Sequence, residues 1–178
     1  MLGLFRRKPY ERAGFGLYTG AVAAARQPWF YTDLGVPDTL DGRFDVIALH
    51  VVLLIDRLRR LPTPGAALGQ AVFDAMFADM DRTLREIGVS DMTVGRKVRA
   101  MWEALHGRSS AYVPALDDEA ALAAALARNV WRGAGGEAAA RCLAAYAREA
   151  SKVLDAQGLP ALTAGRVSFP QPPRAQAA

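Results

Sequence analysis

Residues 44 to 61 read FDVIALHVVLLIDRLRRL, and no stretch limits the fold more tightly. Ile47, Val51, Leu54, Leu58 and Leu61 recur at helical spacing, while Phe44, Ala48, Val52 and Ile55 cover much of another face. A helix that is apolar on most sides must be surrounded by other elements, so it belongs at the centre of a bundle. Its unbroken apolar run, residues 46 to 55, is about half a membrane span and carries a His. We therefore expect no transmembrane helix. Arg57, Arg59 and Arg60 complement the negative end of the helix dipole.

The rest of the chain supplies the surround. Ala-rich runs such as ALAAALA and AAARCLAAYA favour helix, because Ala loses the least entropy there. No alternating β-branched run reaches strand length. The reading is all-α: a single-domain bundle of about six helices with a long ordered loop after the first. The spacing predicts helices from Glu11 to Arg26, from an Asp41 or Gly42 cap to Leu61, and from a Thr63 cap with Pro64 to Ile87. Three more run from an Asp91 or Thr93 cap to Gly107, from an Asp117 cap to Trp131, and from Glu137 to Gln157. SSAYVPAL is read as a linker. Residues 1–10 form a basic N-terminal segment, 11–160 the helical domain, and 161–178 an extended or disordered tail. In the N-terminal segment the apolar piece precedes the basic residues, the reverse of a secretory signal. That order suits weak attachment at an anionic membrane surface.

The loop itself, FYTDLGVPDTLDGRF at residues 30 to 44, is too long and too aromatic for a plain connector. Phe30, Tyr31, Leu34 and Val36 are expected to fold it back over the bundle, with Gly35 and Pro37 setting its turns. Asp38 is the expected partner of Arg43, fixing the start of the central helix with a charge-assisted bond. A structural clasp is favoured over a binding surface, since anchored loops must first satisfy their own backbone groups.

Chemistry-bearing patterns are few. One cysteine, Cys142, excludes an internal disulfide, and its Ala-rich setting suggests a small buried thiol. His50 reads as a satisfied core imidazole and His106 as a helix-end residue; no metal site or cofactor is expected. No nucleophile or phosphate-loop motif is present, so no enzyme is expected. Asp79 and Asp81 point in different directions on a helix, whereas Asp81 with Arg85 and Arg82 with Glu86 have ion-pair spacing. Arg96, Lys97 and Arg99 form the main basic cluster of a helix. With a net charge of +4 they leave a second function open, a small helical nucleic-acid-binding protein associated with RNA or the ribosome. Met76, Met80, Met92 and Met101, near Phe73, Phe77 and Trp102, form a core cluster or an adaptable groove for an apolar client.

Two ordered stretches, YTGAVAAARQPWFYTDLGVPDTLDGRFDVIALHVVLLIDRL and FADMDRTLREIGVSDMTVGRKVRAMWEALHGRSSAY, resemble the ubiquinol–cytochrome c chaperone family over roughly residues 11 to 113, with fainter continuation to the last helix. Arg26, Gln27, Phe30 and Tyr31 match its ARQPxFY run, and Pro37, Asp38, Gly42, Arg43 and Phe44 its VPDTxDGRF loop. Phe77, Asp79, Met80, Asp81, Leu84, Arg85, Glu86, Gly88 and Val89 match FxDMDxxLREMGV, with Ile87 and Ser90 as mild departures. Arg96 and Lys97 stand at the family's basic pair, and Trp102 replaces a smaller residue. The resemblance implies a non-enzymatic assembly chaperone for the cytochrome bc complex, binding newly made cytochrome b without a small-molecule substrate. It implies further contacts with a small second assembly subunit, the ribosome or an anionic membrane surface. Without a long presequence the chain looks like the bacterial form, cytoplasmic and peripheral on the inner face of the cell membrane. Tyr31, Asp38, Arg43, Asp81, Arg85, Arg96, Lys97 and Arg99 are the resulting client- or partner-binding candidates.

Overall fold

The computed structural model describes residues 10–134 and 136–172. Among them are eight α-helices and no strand: α1 (Glu11–Ala25), α2 (Trp29–Thr32), α3 (Leu40–Arg60), α4 (Gly65–Glu86), α5 (Asp91–Tyr112), α6 (Glu119–Val130), α7 (Glu137–Asp155) and α8 (Leu159–Thr163). The six expected helices are present, and the two short ones, α2 and α8, lie where the sequence suggested loop and tail.

The central helix is central for the reason its sequence gives. Every residue from 44 to 55 except Ile47 is buried, and α3 packs against α1, α4, α5, α6 and α7. Burying a Leu or Ile side chain contributes about 1.5–3 kcal/mol, so this one helix anchors much of the core. Its start differs from expectation. Thr39, not Asp41 or Gly42, is the cap: its Oγ1 accepts the Gly42 N–H at 3.2 Å. Likewise Asp118 rather than Asp117 caps α6, accepting the Ala121 N–H at 3.0 Å. The third expected helix begins one residue later than predicted, at Gly65, with Pro64 outside it.

Gly107 does not end α5. The helix continues to Tyr112, followed by a 3-10 turn at Val113–Ala115. Glycine inside a helix costs only about 1 kcal/mol. Leu105, Arg108 and Tyr112 are buried on either side of it, and their burial outweighs that cost. His106 therefore sits within the helix, edge-on to Trp102 with ring centroids 4.5 Å apart.

The loop after α1 is anchored as its side chains suggested. Phe30, Leu34 and Val36 are buried, and Tyr31 Oη donates to the Ala25 carbonyl at 3.0 Å. Beside it lies a ring cluster. Phe30 meets Tyr146 and His50 edge-on at 5.1 and 5.5 Å. His50 is fully buried, with Nδ1 2.8 Å from the Val46 carbonyl and Nε2 2.9 Å from Tyr146 Oη. A carbonyl only accepts, so Nδ1 carries the proton and Nε2 accepts from tyrosine. Burial pulls the His50 pKa down from 6.5 to about 4. An unfolded histidine still binds its proton near 6.5, so stability is lost as pH falls from about 6.5 towards 4. Ring-nitrogen NMR shifts at pH 5 are expected to show His50 neutral; a ring protonated at that pH would contradict this.

The segment after α8 returns to the bundle. Val167 and Phe169 pack on the core, and Phe169 lies 5.0 Å from the His50 ring. The Gln157 side-chain amide accepts the Ser168 N–H at 2.8 Å and donates to the Ser168 carbonyl at 2.9 Å. Gly16 permits the approach, since a Cβ there would lie 2.7 Å from the Gly165 carbonyl oxygen. Residues 1–9 and 173–178, with most of the basic N-terminal segment and the end of the tail, lie outside the described residues.

Candidate functional site

The first turn of α3 faces α5 across a cleft of about 260 Å³. Leu40, Asp41, Phe44 and Asp45 form one wall, Lys97, Met101, Ala104 and Arg108 the other. Asp45 is 1% exposed, which would be untenable for an unpaired carboxylate. Arg108 Nη2 donates to Asp45 Oδ1, and Arg132 Nη1 donates to Oδ2 at 3.1 Å. Arg108 also donates to the Ala104 carbonyl at 3.0 Å and lies 5.3 Å from the Phe44 ring centroid. Burial holds the Asp45 carboxyl above the usual range against the opposing pull of both guanidiniums. Arg132 reaches Asp45 from the segment after α6 with a backbone φ of 54°. One carboxylate thus ties three parts of the chain together at the base of the cleft.

The eight residues singled out from the sequence fall into separate groups. Tyr31 lies in α2, Asp38 in the connection that follows, and Arg43 in the first turn of α3. Arg43 Nε donates to Asp38 Oδ1 at 2.6 Å, the expected pairing, which holds the Asp38 carboxyl below the usual range. Burial raises the Tyr31 phenol. Asp81 and Arg85 pair at 2.7 Å near the end of α4, and Arg85 also donates to Asp91 at the start of α5. The Arg85 bond lowers the Asp81 carboxyl. Asp79 points elsewhere, as its spacing implied, accepting from Tyr18 at 2.8 Å. Arg99 pairs with Glu103 at 3.1 Å, Arg96 is exposed, and Lys97 alone of the eight lines the cleft. Of this basic cluster only Arg99 has an ion-pair partner among the described residues.

Asp38 and Arg43 are 60% and 62% exposed, so water screens their bond. The buried apolar side chains hold the loop instead. Asp38→Ala is expected to move the melting temperature by less than about 3 °C. A larger fall in a thermal melt would make the ion pair the clasp.

Two other expectations change. Cys142 is exposed, because α7 turns that face of its Ala-rich stretch to solvent. The methionines do not line one groove: Met76 and Met80 are core, Met101 borders the cleft, and Met92 is 96% exposed. Among the described residues no cluster of three or more His, Cys, Asp or Glu is placed to hold a metal ion.

Residues 32–169 match the ubiquinol–cytochrome C chaperone family. The chain belongs to that family. The matched span covers α3 to α8 and reaches Phe169 on the returning tail, beyond the last helix to which the fainter part of the resemblance extended. It begins after the ARQPxFY run. The crystal structure of the Cbp3 homolog from Brucella abortus has the same fold, with a TM-score of 0.82 and 37% identity over 94% of this chain and 95% of that one. Ubiquinol-cytochrome-c reductase complex assembly factor 1 of Xenopus laevis is 27% identical over 119 residues, 66% of this chain. The chain spans 60% of that relative's length.

Reading the sequence of this family member missed Asp45, Arg108 and Arg132 at the base of the cleft. One signal was there: Asp45 is a carboxylate set between Phe44 and Val46, directly before the apolar run of the central helix. Such a charge needs a cation brought by another element. Which cation answers it is not a local property.

Proposed function

We propose that this chain is an assembly chaperone for ubiquinol–cytochrome c reductase that holds newly made cytochrome b. The observation that carries the reading is the family match across residues 32–169, supported by a shared fold over nearly the whole chain. The protein acts by binding and catalyses no covalent step. The corner between α4 and α5 suits such a task. Ile87 and Met92 are exposed there at 60% and 96%, and Trp102, ten residues further along α5, at 43%, high values for large apolar side chains. Asp81, Arg85, Arg96 and Arg99 flank them with charge, while Tyr31, Asp38 and Arg43 mark a second polar surface on the loop. Apolar contact with a charged border is the pattern of a reversible protein interface.

No described helix is long and apolar enough to cross a membrane. The proposed working place is the cytoplasmic side of the membrane, peripherally bound, where a membrane-protein client is made. A small second subunit or the ribosome would share the client. Deleting the gene and measuring cytochrome b by reduced-minus-oxidised absorbance tests the proposal. Loss of cytochrome b and of reductase activity is expected, with recovery on re-expression. Unchanged levels of both would refute it.

A further inference from the structure

The cleft at the start of α3 has donors that nothing in the fold uses. Lys97 lines it and forms no ion pair among the described residues. Arg132 commits only Nη1, to Asp45 at 3.1 Å and to the carbonyls of Asn129 and Val130 at 3.1 and 3.0 Å. Its Nε and Nη2 carry no hydrogen bond among the described residues. That edge of a guanidinium is one that meets a carboxylate side-on with two parallel bonds. Arg108 Nε, buried nearby, also lacks a partner. Three cations thus line the cleft against two carboxylates, Asp45 and Asp41. Asp45 is already shared by two arginines. Asp41 lies in the first turn of a 21-residue helix, where its charge complements the dipole.

Arg132 follows the C-cap of α6, Trp131, and its φ of 54° is the left-handed turn that closes that helix, with the Gly133 N–H on the Ala127 carbonyl at 3.3 Å. The remaining lining is apolar: Leu40, Phe44, Leu84 and Met101, of which Leu40 is 37% exposed.

We infer that this cleft binds a small amphipathic carboxylate, with the anionic group on Lys97 and Arg132 and the apolar body against Leu40, Phe44 and Met101. The volume of about 260 Å³ lies just under the range of drug-sized sites and suits a ligand of about ten heavy atoms. A ligand of that size binds with a Kd on the order of 0.1–1 mM. Both parts of the ligand are required, since the donors supply orientation and the apolar wall most of the contact area.

The test is an amide NMR titration of the full chain with sodium octanoate, and in parallel with octanol and inorganic phosphate. Octanoate is expected to shift the amides of Lys97, Met101 and Arg132 saturably, and the other two probes to bind at least about tenfold more weakly. Lys97→Gln removes a charge-assisted contact and is expected to weaken octanoate about tenfold. Arg96→Gln, on an exposed neighbouring side chain, leaves the titration unchanged. Shifts that do not saturate, that lie away from the cleft, that octanol reproduces or that Lys97→Gln leaves intact would each overturn the assignment. Cytochrome b takes no part in this measurement, so its outcome is independent of the assembly role.

Discussion

Asp45→Ala is expected to lower the free energy of unfolding by about 3–5 kcal/mol, the cost of leaving buried charge without its partner. The carboxylate is 1% exposed and Arg108 is 9% exposed, so the arginine cannot turn to water when Asp45 is removed. Arg132 is half exposed and can. The loss therefore falls mainly on Arg108, whose remaining bond is to the Ala104 carbonyl. Chemical denaturation reads the effect directly. A second variant separates charge from packing. The double replacement Asp45→Leu with Arg108→Met removes both buried charges and keeps apolar volume, and is expected to recover most of the stability. If Asp45→Ala alone cost less than about 1 kcal/mol, the buried pair would not be an anchor of the fold.

Gly42→Ala is the second large effect. A Cβ at this position would lie 1.9 Å from the carbonyl oxygen of Pro37 and 2.9 Å from its carbon. Neither side can move cheaply. Gly42 is in the first turn of the central helix, its N–H held by Thr39. Pro37 follows Val36, whose buried side chain fixes the loop. Helix propensity alone would favour alanine by about 1 kcal/mol, but an overlap with backbone outweighs that gain. We expect a net loss of about 2–3 kcal/mol in the same denaturation experiment. The control is Gly107→Ala. Nothing lies within 4 Å of a Cβ there, so the identical substitution in α5 is expected to stabilise by about 0.5–1 kcal/mol. Effects of the same sign at both positions would contradict this packing of the loop on the helix.

These two sites differ in how far they could be read in advance. Gly42 lies in a loop motif that the sequence displayed, VPDTLDGRF, and the pairing of Asp38 with Arg43 within it was legible from proximity along the chain. What was not legible is that this exposed pair matters less than Phe30, Leu34 and Val36 beneath it. Asp45 was visible only as an oddity among apolar neighbours. Its partners lie 63 and 87 residues away, and no local pattern distinguishes Arg108 or Arg132 from the chain's other arginines. The same holds for Lys97, which the sequence grouped with Arg96 and Arg99. All three are exposed, and only the placement of α5 against α3 brings Lys97, rather than Arg96 or Arg99, to the edge of the cleft.

The helical class, the approximate positions of the six main helices and the central place of α3 are legible in local sequence pattern. These follow from spacings of three and four residues, from caps and from glycine or proline breaks, all of which act over a turn or two. The sequence also carried the two stretches that mark the family. Packing in three dimensions carries α5 through Gly107, returns residues 167 and 169 to the core, leaves Met92 in solvent and gathers two arginines on Asp45. Each of those outcomes depends on which surfaces meet after the helices pack. Burial then outweighs local propensity, and charges pair by distance in space rather than by distance along the chain.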